Sequence, residues 1–157
     1  MSILKKMAKA RSPEPAVHSK HLRPVGVIRS TLKSRRDAPK QGNEGGPDAW
    51  IEPLPTVESA LKGIVVGSEV IILTWFHKAK RDVLQVHPRS DRRRVLTGVF
   101  ATRSPDRPNP IGLHPVIVRK VEKHRILVGP IEAVDGTPVV DIKPLLACDS
   151  GSTSAHS

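Results

Sequence analysis

Short apolar segments with too little chain between them for helices are the feature that most restricts how this sequence can fold. Residues 70–76, VIILTWF, form a continuous apolar run that indicates a buried strand. Parallel strands need crossover connections of about a dozen residues or more, usually helical, and no helical pattern of that kind is present. The sequence therefore predicts a mostly β fold, a single-sheet antiparallel-rich β-barrel with one or two short helices. Further strands are predicted at residues 25–30, 50–54, 95–102, 115–122, 125–129 and 138–142.

The connections between these strands carry turn and helix signals of their own. Residues 34–48 contain two prolines and three glycines and are predicted to form a long loop. Thr56 is a candidate N-cap for a short helix that ends near Gly63. Lys123 and His124 are predicted to form a tight turn between two strands, and Asp135-Gly136 has the composition of a hairpin turn.

The composition predicts one folded unit between two flexible ends. Residues 1–22 mix Lys, Pro, Ser and His without periodicity, which predicts a disordered basic N-terminal arm. Residues 23–147 are predicted to form the barrel domain, and residues 148–157 a disordered polar tail. A chain of 157 residues has the size of one ordinary domain.

Positive charge is concentrated in two parts of the chain. The net charge is +11, of which residues 1–40 contribute +9 and residues 78–107 contribute +6. Such an excess predicts a polyanionic partner. Cys148 is the only cysteine, which excludes an internal disulfide or a multi-cysteine metal site. No apolar run reaches the ~18 residues that span a bilayer, so we expect a cytoplasmic protein without a membrane partner. The scattered histidines and the single cysteine predict no metal partner.

The densest chemical signal is residues 98–113, GVFATRSPDRPNPIGL. Three prolines, at 105, 108 and 110, stiffen the segment, so its polar side chains are presented with little entropy left to lose. Arg103, Arg107 and Asn109 lie within it. The combination favours a binding loop, although a plain proline-rich surface connection has the same features.

This segment resembles the signature of the TrmO family, whose domain is also called TsaA-like. Residues 24–30, 75–78 and 134–144 are similar to other parts of the family pattern and occur in the expected order. The resemblance extends over about residues 24–144. It implies a single-sheet barrel, usually a homodimer, that binds S-adenosylmethionine and methylates N6 of N6-threonylcarbamoyladenosine at position 37 of tRNA.

By motif position the resemblance also implies the residues that contact the cofactor. They are Pro39, Lys40, Gln41, His77, Lys78, Arg103, Leu113, Asp135, Gly136, Thr137 and Pro138. Their chemistry suits S-adenosylmethionine, because Arg103 or Lys78 can hold its carboxylate and Leu113 can line the adenine. Asp135 can accept from a hydroxyl or the ammonium.

The sequence does not identify the catalytic residues. The target nitrogen is a weak nucleophile, so a general base is expected, and His77 and Asp135 are candidates. Read without the resemblance, His77 is an ordinary strand-end histidine and Asp135 an ordinary turn residue. The phosphate-binding residues predicted for RNA are Arg92, Arg93, Arg94, Arg107, Arg35 and Arg36.

Two departures from the family pattern keep other functions open. Longer family members carry a further C-terminal domain, and residues 145–149, LLACD, stand where an aromatic and a proline often follow. One alternative is an S-adenosylmethionine-binding barrel that methylates a small molecule or senses the cofactor. The other is an RNA-binding module without catalysis.

Overall fold

The protein is a closed six-stranded antiparallel barrel with a small two-stranded sheet beside it. The computed structural model describes residues 21–146, so the predicted tail, Cys148 and all but the last two residues of the predicted basic arm lie outside the described residues. The strands are β1 Gly26–Arg29, β2 Ala49–Pro53, β3 Glu69–Trp75, β4 Gln85–Val86, β5 Thr97–Gly98, β6 Ile111–Glu122, β7 Arg125–Gly129 and β8 Pro138–Pro144. The barrel order is β1-β2-β7-β6-β3-β8, and β4 pairs with β5. The predicted antiparallel β-barrel is confirmed.

Helical structure is confined to short 3₁₀ segments within residues 21–146. The longest, Pro55–Leu61, follows β2 in the region where a short helix was predicted. Thr56 is not its N-cap, because the helix starts one residue earlier and Leu54 holds the cap position without a side-chain hydrogen bond. The others are single turns at Gly42–Glu44, Pro88–Ser90 and Val99–Ala101.

The interior of the barrel is aliphatic because side chains alternate along each strand. On β3 the buried positions are Val70, Ile72 and Thr74, and on β6 they are every second residue from Gly112 to Val118. Branched side chains fill a pleated half-buried surface well, which explains a core with almost no aromatic residues. The core cluster includes Ile28, Ile51, Ile72, Val116, Val118, Ile126, Val128 and Val139.

The structure confirms one predicted turn and corrects two other predictions. Lys123 and His124 join β6 to β7 as a tight antiparallel hairpin. Residues 95–102 are not one strand, because the chain leaves β5 after Gly98 and turns into a 3₁₀ segment. Asp135-Gly136 is a turn but not a hairpin, since β7 pairs with β2 and β6 while β8 pairs with β1 and β3.

No helix in the described range has the length and apolarity to cross a membrane. Residues 21–146 also contain no group of three or more His, Cys, Asp or Glu side chains arranged to hold a metal ion.

Candidate cofactor site and basic loops

Three connections leave the same end of the barrel, and they carry almost all the predicted site residues. Because neighbouring strands are antiparallel, the C-terminal ends of β1, β3 and β7 lie at one end. The β1–β2 connection covers residues 30–48, the β3–β6 connection residues 76–110, and the β7–β8 connection residues 130–137. Leu113, on β6, and Pro138, at the start of β8, are the two predicted contacts that lie on strands.

The proline-rich part of the β3–β6 connection is held by its own backbone. Arg107 is half-buried and donates from Nε to Ser104 O at 2.8 Å and from Nη2 to Val99 O at 2.7 Å, with a further bond to Thr102 O. These bonds tie the loop into one unit. Arg107, predicted from the sequence to bind RNA, thus also holds the loop together from a half-buried position.

A second arginine joins the proline-rich loop to the end of β3. Arg81 donates from Nε to Pro108 O at 2.9 Å and from Nη2 to Asn109 Oδ1 at 3.3 Å, and its guanidinium lies 5.2 Å from the Trp75 ring centroid. The backbone N–H of Phe76 also donates to Pro110 O at 2.8 Å. The stiffness predicted from the prolines is thus reinforced by contacts with the end of β3.

His77, Lys78 and Arg103 are exposed on this connection. His77 and Lys78 form the turn that follows β3, closed by the Ala79 N–H donating to Phe76 O at 2.9 Å. Partial burial, together with the nearby Lys78 charge, lowers the pKa of His77 below its ordinary value. His77 is therefore neutral at pH 7.

Asp135 fastens the β7–β8 connection to the β1–β2 connection. Its Oδ1 accepts from the Ser30 N–H at 3.0 Å, and its Oδ2 accepts from Lys33 Nζ at 2.9 Å. The hydrogen bond from Lys33 contributes most to lowering the pKa of Asp135, followed by the Ser30 N–H. Asp135 is accordingly ionised and a weak base.

The next two residues are also engaged with the barrel. The Gly136 N–H donates to Ile28 O at 2.8 Å. Thr137 is buried, and its hydroxyl donates to Val134 O at 2.7 Å. The side chain of Thr137 is thus occupied within the protein.

A cavity of about 310 Å³ brings together two of the predicted cofactor contacts, Gln41 and Leu113. The cavity lies along β6 where this strand extends beyond the end of β7. The pairing of the two strands ends at Ile117, which lies opposite Gly129. One side of the cavity is formed by Gln41, Gly42 and Asn43. The predicted contacts Pro39 and Lys40, just before them in the sequence, do not line the cavity. The remaining lining residues are Glu69, Pro115, Val116, Ile117, Gly129, Pro130, Glu132 and Leu145.

Gly42 allows the β1–β2 connection to approach the segment after β7. A Cβ atom at Gly42 would lie 2.5 Å from Pro130 O and 3.0 Å from Glu132 Oε2, so a larger residue would push the loop away. The Ile131 N–H donates to Pro47 O at 2.9 Å nearby. This close approach forms one wall of the cavity.

Two polar residues next to the cavity, His114 and Glu132, were not predicted. His114 is 2% exposed, with Nδ1 2.8 Å from Glu132 Oε1 and Nε2 2.9 Å from Thr74 Oγ1. His114 lies at an inward position of β6, where an aliphatic residue is usual. The sequence could have pointed to His114 only through this unusual inward position. Its partner Glu132 lies in a separate connection, so no local pattern in the sequence links the two residues.

A second cavity, of about 190 Å³, lies between β1, β2, β8 and the 3₁₀ helix Pro55–Leu61. Its lining is almost wholly aliphatic, and Asp141, its one charged member, bonds to the Ile142 N–H and to Lys143. None of the predicted site residues lines it. The cavity beside Gln41 is therefore the better candidate for a polar cofactor.

Apart from Arg107, the predicted phosphate-binding arginines occupy two places on the same end of the barrel. Arg92, Arg93 and Arg94 are exposed, and Asp91 pairs with Arg93 through both carboxylate oxygens, at 2.9 and 3.0 Å. Among the described residues no partner is found for Arg92. Asp91 consequently offsets part of this positive charge.

The other pair lies on the β1–β2 connection. Arg35 contacts Asp106 Oδ1 at 3.3 Å and donates to Lys78 O at 3.4 Å, and Arg36 beside it is exposed. Arg35 thus joins two connections, and Arg36 presents the freer charge.

Comparison with known proteins agrees with this architecture. A family model described as the tRNA-methyltransferase O N-terminal domain, TrmO_N, matches residues 27–150. A probable S-adenosyl-L-methionine-binding protein of Methanothermobacter thermautotrophicus is 45% identical over 124 residues, which are 78% of this chain and 88% of that protein. The putative S-adenosylmethionine-dependent methyltransferase RcsF of Pseudomonas aeruginosa is 35% identical, over 88% of this chain and 60% of that protein.

A solved structure extends the likeness to three dimensions. The crystal structure of TrmO from Pseudomonas aeruginosa superposes with a TM-score of 0.71 at 31% identity and covers 92% of this chain. This chain spans 62% of that structure's length. The barrel, the signature loop and these matches together show that the chain belongs to the TrmO family.

Proposed function

We propose that the protein is an S-adenosylmethionine-dependent methyltransferase that acts on N6 of N6-threonylcarbamoyladenosine at position 37 of tRNA. The observation that carries the proposal is the cavity that unites Gln41 with Leu113, two positions far apart in sequence. It lies on a barrel whose connections at one end carry the basic residues. Membership of the TrmO family supports the same reaction class.

The cavity's size and lining fit S-adenosylmethionine, which has an adenine, ribose hydroxyls, an amino acid group and a sulfonium. Ligand cavities in proteins start at about 300 Å³ and combine apolar walls with a few polar groups. Leu113 and Pro115 supply apolar wall, and Gln41 supplies an amide. Arg103 and Lys78, exposed on the adjoining connection, are proposed to hold the carboxylate.

The bound cofactor supplies an electrophilic methyl group. The protein must bind the cofactor and the substrate, orient them for transfer, and remove a proton from the target nitrogen. Of the two candidate bases, His77 is better suited. Its lowered pKa leaves the imidazole neutral at pH 7, the form that accepts a proton. Asp135 already accepts two hydrogen bonds, and its lowered pKa makes it a weaker base.

Arg92, Arg93, Arg94 and Arg36 are proposed to contact the tRNA backbone, because all four are exposed at this end of the barrel. Arg107 and Arg35 act indirectly, by fixing the loops. The predicted homodimer stays a prediction, and the outer face of β3 and β6 offers it an apolar surface. Ile111 is 43% and Leu113 39% exposed there, beside Leu73 and Trp75.

Calorimetric titration with S-adenosylmethionine tests the cofactor assignment. The wild type should bind in the micromolar range, and Leu113→Glu and Arg103→Ala should each weaken binding at least about tenfold, the equivalent of 1.4 kcal/mol. Lys123→Ala, at the opposite end of the barrel, is the matched control and should bind like the wild type. Absence of binding by the wild type would contradict the assignment and favour the RNA-binding module.

A further inference from the structure

A buried chain of hydrogen bonds runs from the interior of the barrel to the cavity beside Gln41. Thr74 Oγ1 lies 2.9 Å from His114 Nε2, and His114 Nδ1 lies 2.8 Å from Glu132 Oε1. Thr74 and His114 are almost fully buried, and the Glu132 side chain is 16% exposed. The far end of this chain, Glu132, is part of the cavity wall.

The Glu132 carboxylate is held on one side by a hydrogen bond and has little room on the other. His114 Nδ1 lies 2.8 Å from Oε1, and Oε2 lies 3.0 Å from the position that a Cβ atom at Gly42 would take. A carboxylate held in this way cannot easily turn to follow a ligand, so its charge acts at one place.

The charged residues of the cavity wall are both acidic, although the protein as a whole carries a net charge of +11. They are Glu132 and the exposed Glu69, and no Lys or Arg is among the described residues that line the cavity. The wall of this cavity therefore favours a cation over a neutral ligand of similar shape.

The methyl donor and its product differ in the charge on their sulfur atom. S-adenosylmethionine carries a positive sulfonium, and once the methyl group has left with its bond electrons remaining on sulfur, the product S-adenosylhomocysteine has a neutral thioether. The two molecules otherwise share every group that the site can contact. A carboxylate on the wall can thus distinguish them by charge.

We propose that Glu132, positioned by His114 and Thr74, is a specificity-determining residue that makes the site prefer the cationic methyl donor over its thioether product. The inference rests on the proposed function, since it assumes that the cavity holds the cofactor. Unit charges a few ångströms apart in a partly shielded site interact strongly enough for a preference of at least about fivefold.

The test compares three ligands by calorimetry on the full chain. They are S-adenosylmethionine, S-adenosylhomocysteine and the analogue in which a protonated amine replaces the methylsulfonium. We expect the wild type to bind both cations at least about fivefold more tightly than the thioether. In Glu132→Gln the three affinities should fall within about twofold of each other.

The control is Glu122→Gln, which removes the same charge at the far end of β6, where Glu122 pairs with Arg125. It should keep the wild-type ratio. A wild type that binds the thioether as tightly as the sulfonium overturns the inference, whether or not Glu132→Gln folds. So does a folded Glu132→Gln with an unchanged ratio. If the wild type binds none of the three ligands, the proposed function fails. If it binds them without preferring the cations, only the role given to Glu132 fails.

Discussion

Asp135 and Lys33 form a 2.9 Å ion pair that joins the β7–β8 and β1–β2 connections at one end of the barrel. The Ser30 N–H donates to the other carboxylate oxygen, and the Asp135 N–H donates to Leu32 O at 2.7 Å. The loop predicted to contact the cofactor is therefore anchored to the start of the loop that leads to Gln41. Asp135 is a structural link here, whatever it also contacts.

Replacing Asp135 by Ala should reduce the free energy of unfolding by about 1–2 kcal/mol at pH 7, because two hydrogen bonds to a carboxylate are lost. The pKa of Asp135 is lowered in the folded protein, so its contribution is present above the ordinary pKa near 4 and is lost as the pH falls through the folded value. Denaturant unfolding of both proteins from pH 7 to pH 3 should show the difference shrinking with acidity. A difference that grows towards low pH would contradict this role.

Arg107→Ala should loosen the proline-rich loop rather than remove a phosphate contact, because its guanidinium bonds to three carbonyl groups of the loop. We expect faster amide hydrogen exchange in residues 99–110 and a loss of about 1–3 kcal/mol in stability. The salt dependence of RNA binding should keep its slope. A slope reduced by about one would instead assign Arg107 to a phosphate.

Gly112→Ala tests the chain of hydrogen bonds in the barrel interior. A Cβ at this position would overlap Thr74 Oγ1, the Phe76 ring and His114 Nε2, and both Thr74 and His114 are almost fully buried. We expect a loss of at least about 1–3 kcal/mol in the free energy of unfolding. Gly98→Ala is the control, because a Cβ there meets no atom within 4 Å, and it should change stability far less.

Arg92→Ala should weaken tRNA binding and lower the slope of log K against log salt by about one, since Arg92 is exposed and has no partner among residues 21–146. Filter binding or fluorescence anisotropy over a series of salt concentrations measures this slope. Lys123→Ala, which removes a charge from the β6–β7 turn, should leave it unchanged. Equal effects of the two variants would mean that the tRNA does not prefer the end of the barrel that carries the loops.

The sequence was sufficient to predict the barrel because strand alternation and the lack of crossover helices are local properties. The β6–β7 turn followed from spacing alone. Residues 95–102 were wrongly predicted as one strand because their β-branched composition conceals a 3₁₀ turn at Val99–Ala101. The mistaken hairpin at Asp135-Gly136 arose because a turn signal does not reveal which strands pair across the barrel.

The candidate site was only partly accessible from sequence. The family resemblance gave positions on five separate stretches of the sequence, and the structure brings Gln41 and Leu113 to one cavity. Glu132 and His114 were not predicted because they come together only in the folded barrel, where β6 extends past the end of β7. Neither sequence segment on its own indicates this contact. The phosphate role predicted for Arg107 stays a prediction, and the sequence alone did not indicate that its guanidinium would bond to backbone carbonyls of the folded loop.

The most direct test of the proposed function is methyl transfer to tRNA that carries N6-threonylcarbamoyladenosine. The purified protein is incubated with S-adenosylmethionine labelled in its methyl group, and with either the modified tRNA or the same tRNA without the modification. The account predicts label in the modified tRNA only, recovered on digestion as a nucleoside heavier by one methyl group at N6. Cofactor binding without any transfer to the modified tRNA would contradict it, and would favour methylation of a small molecule or a sensing role.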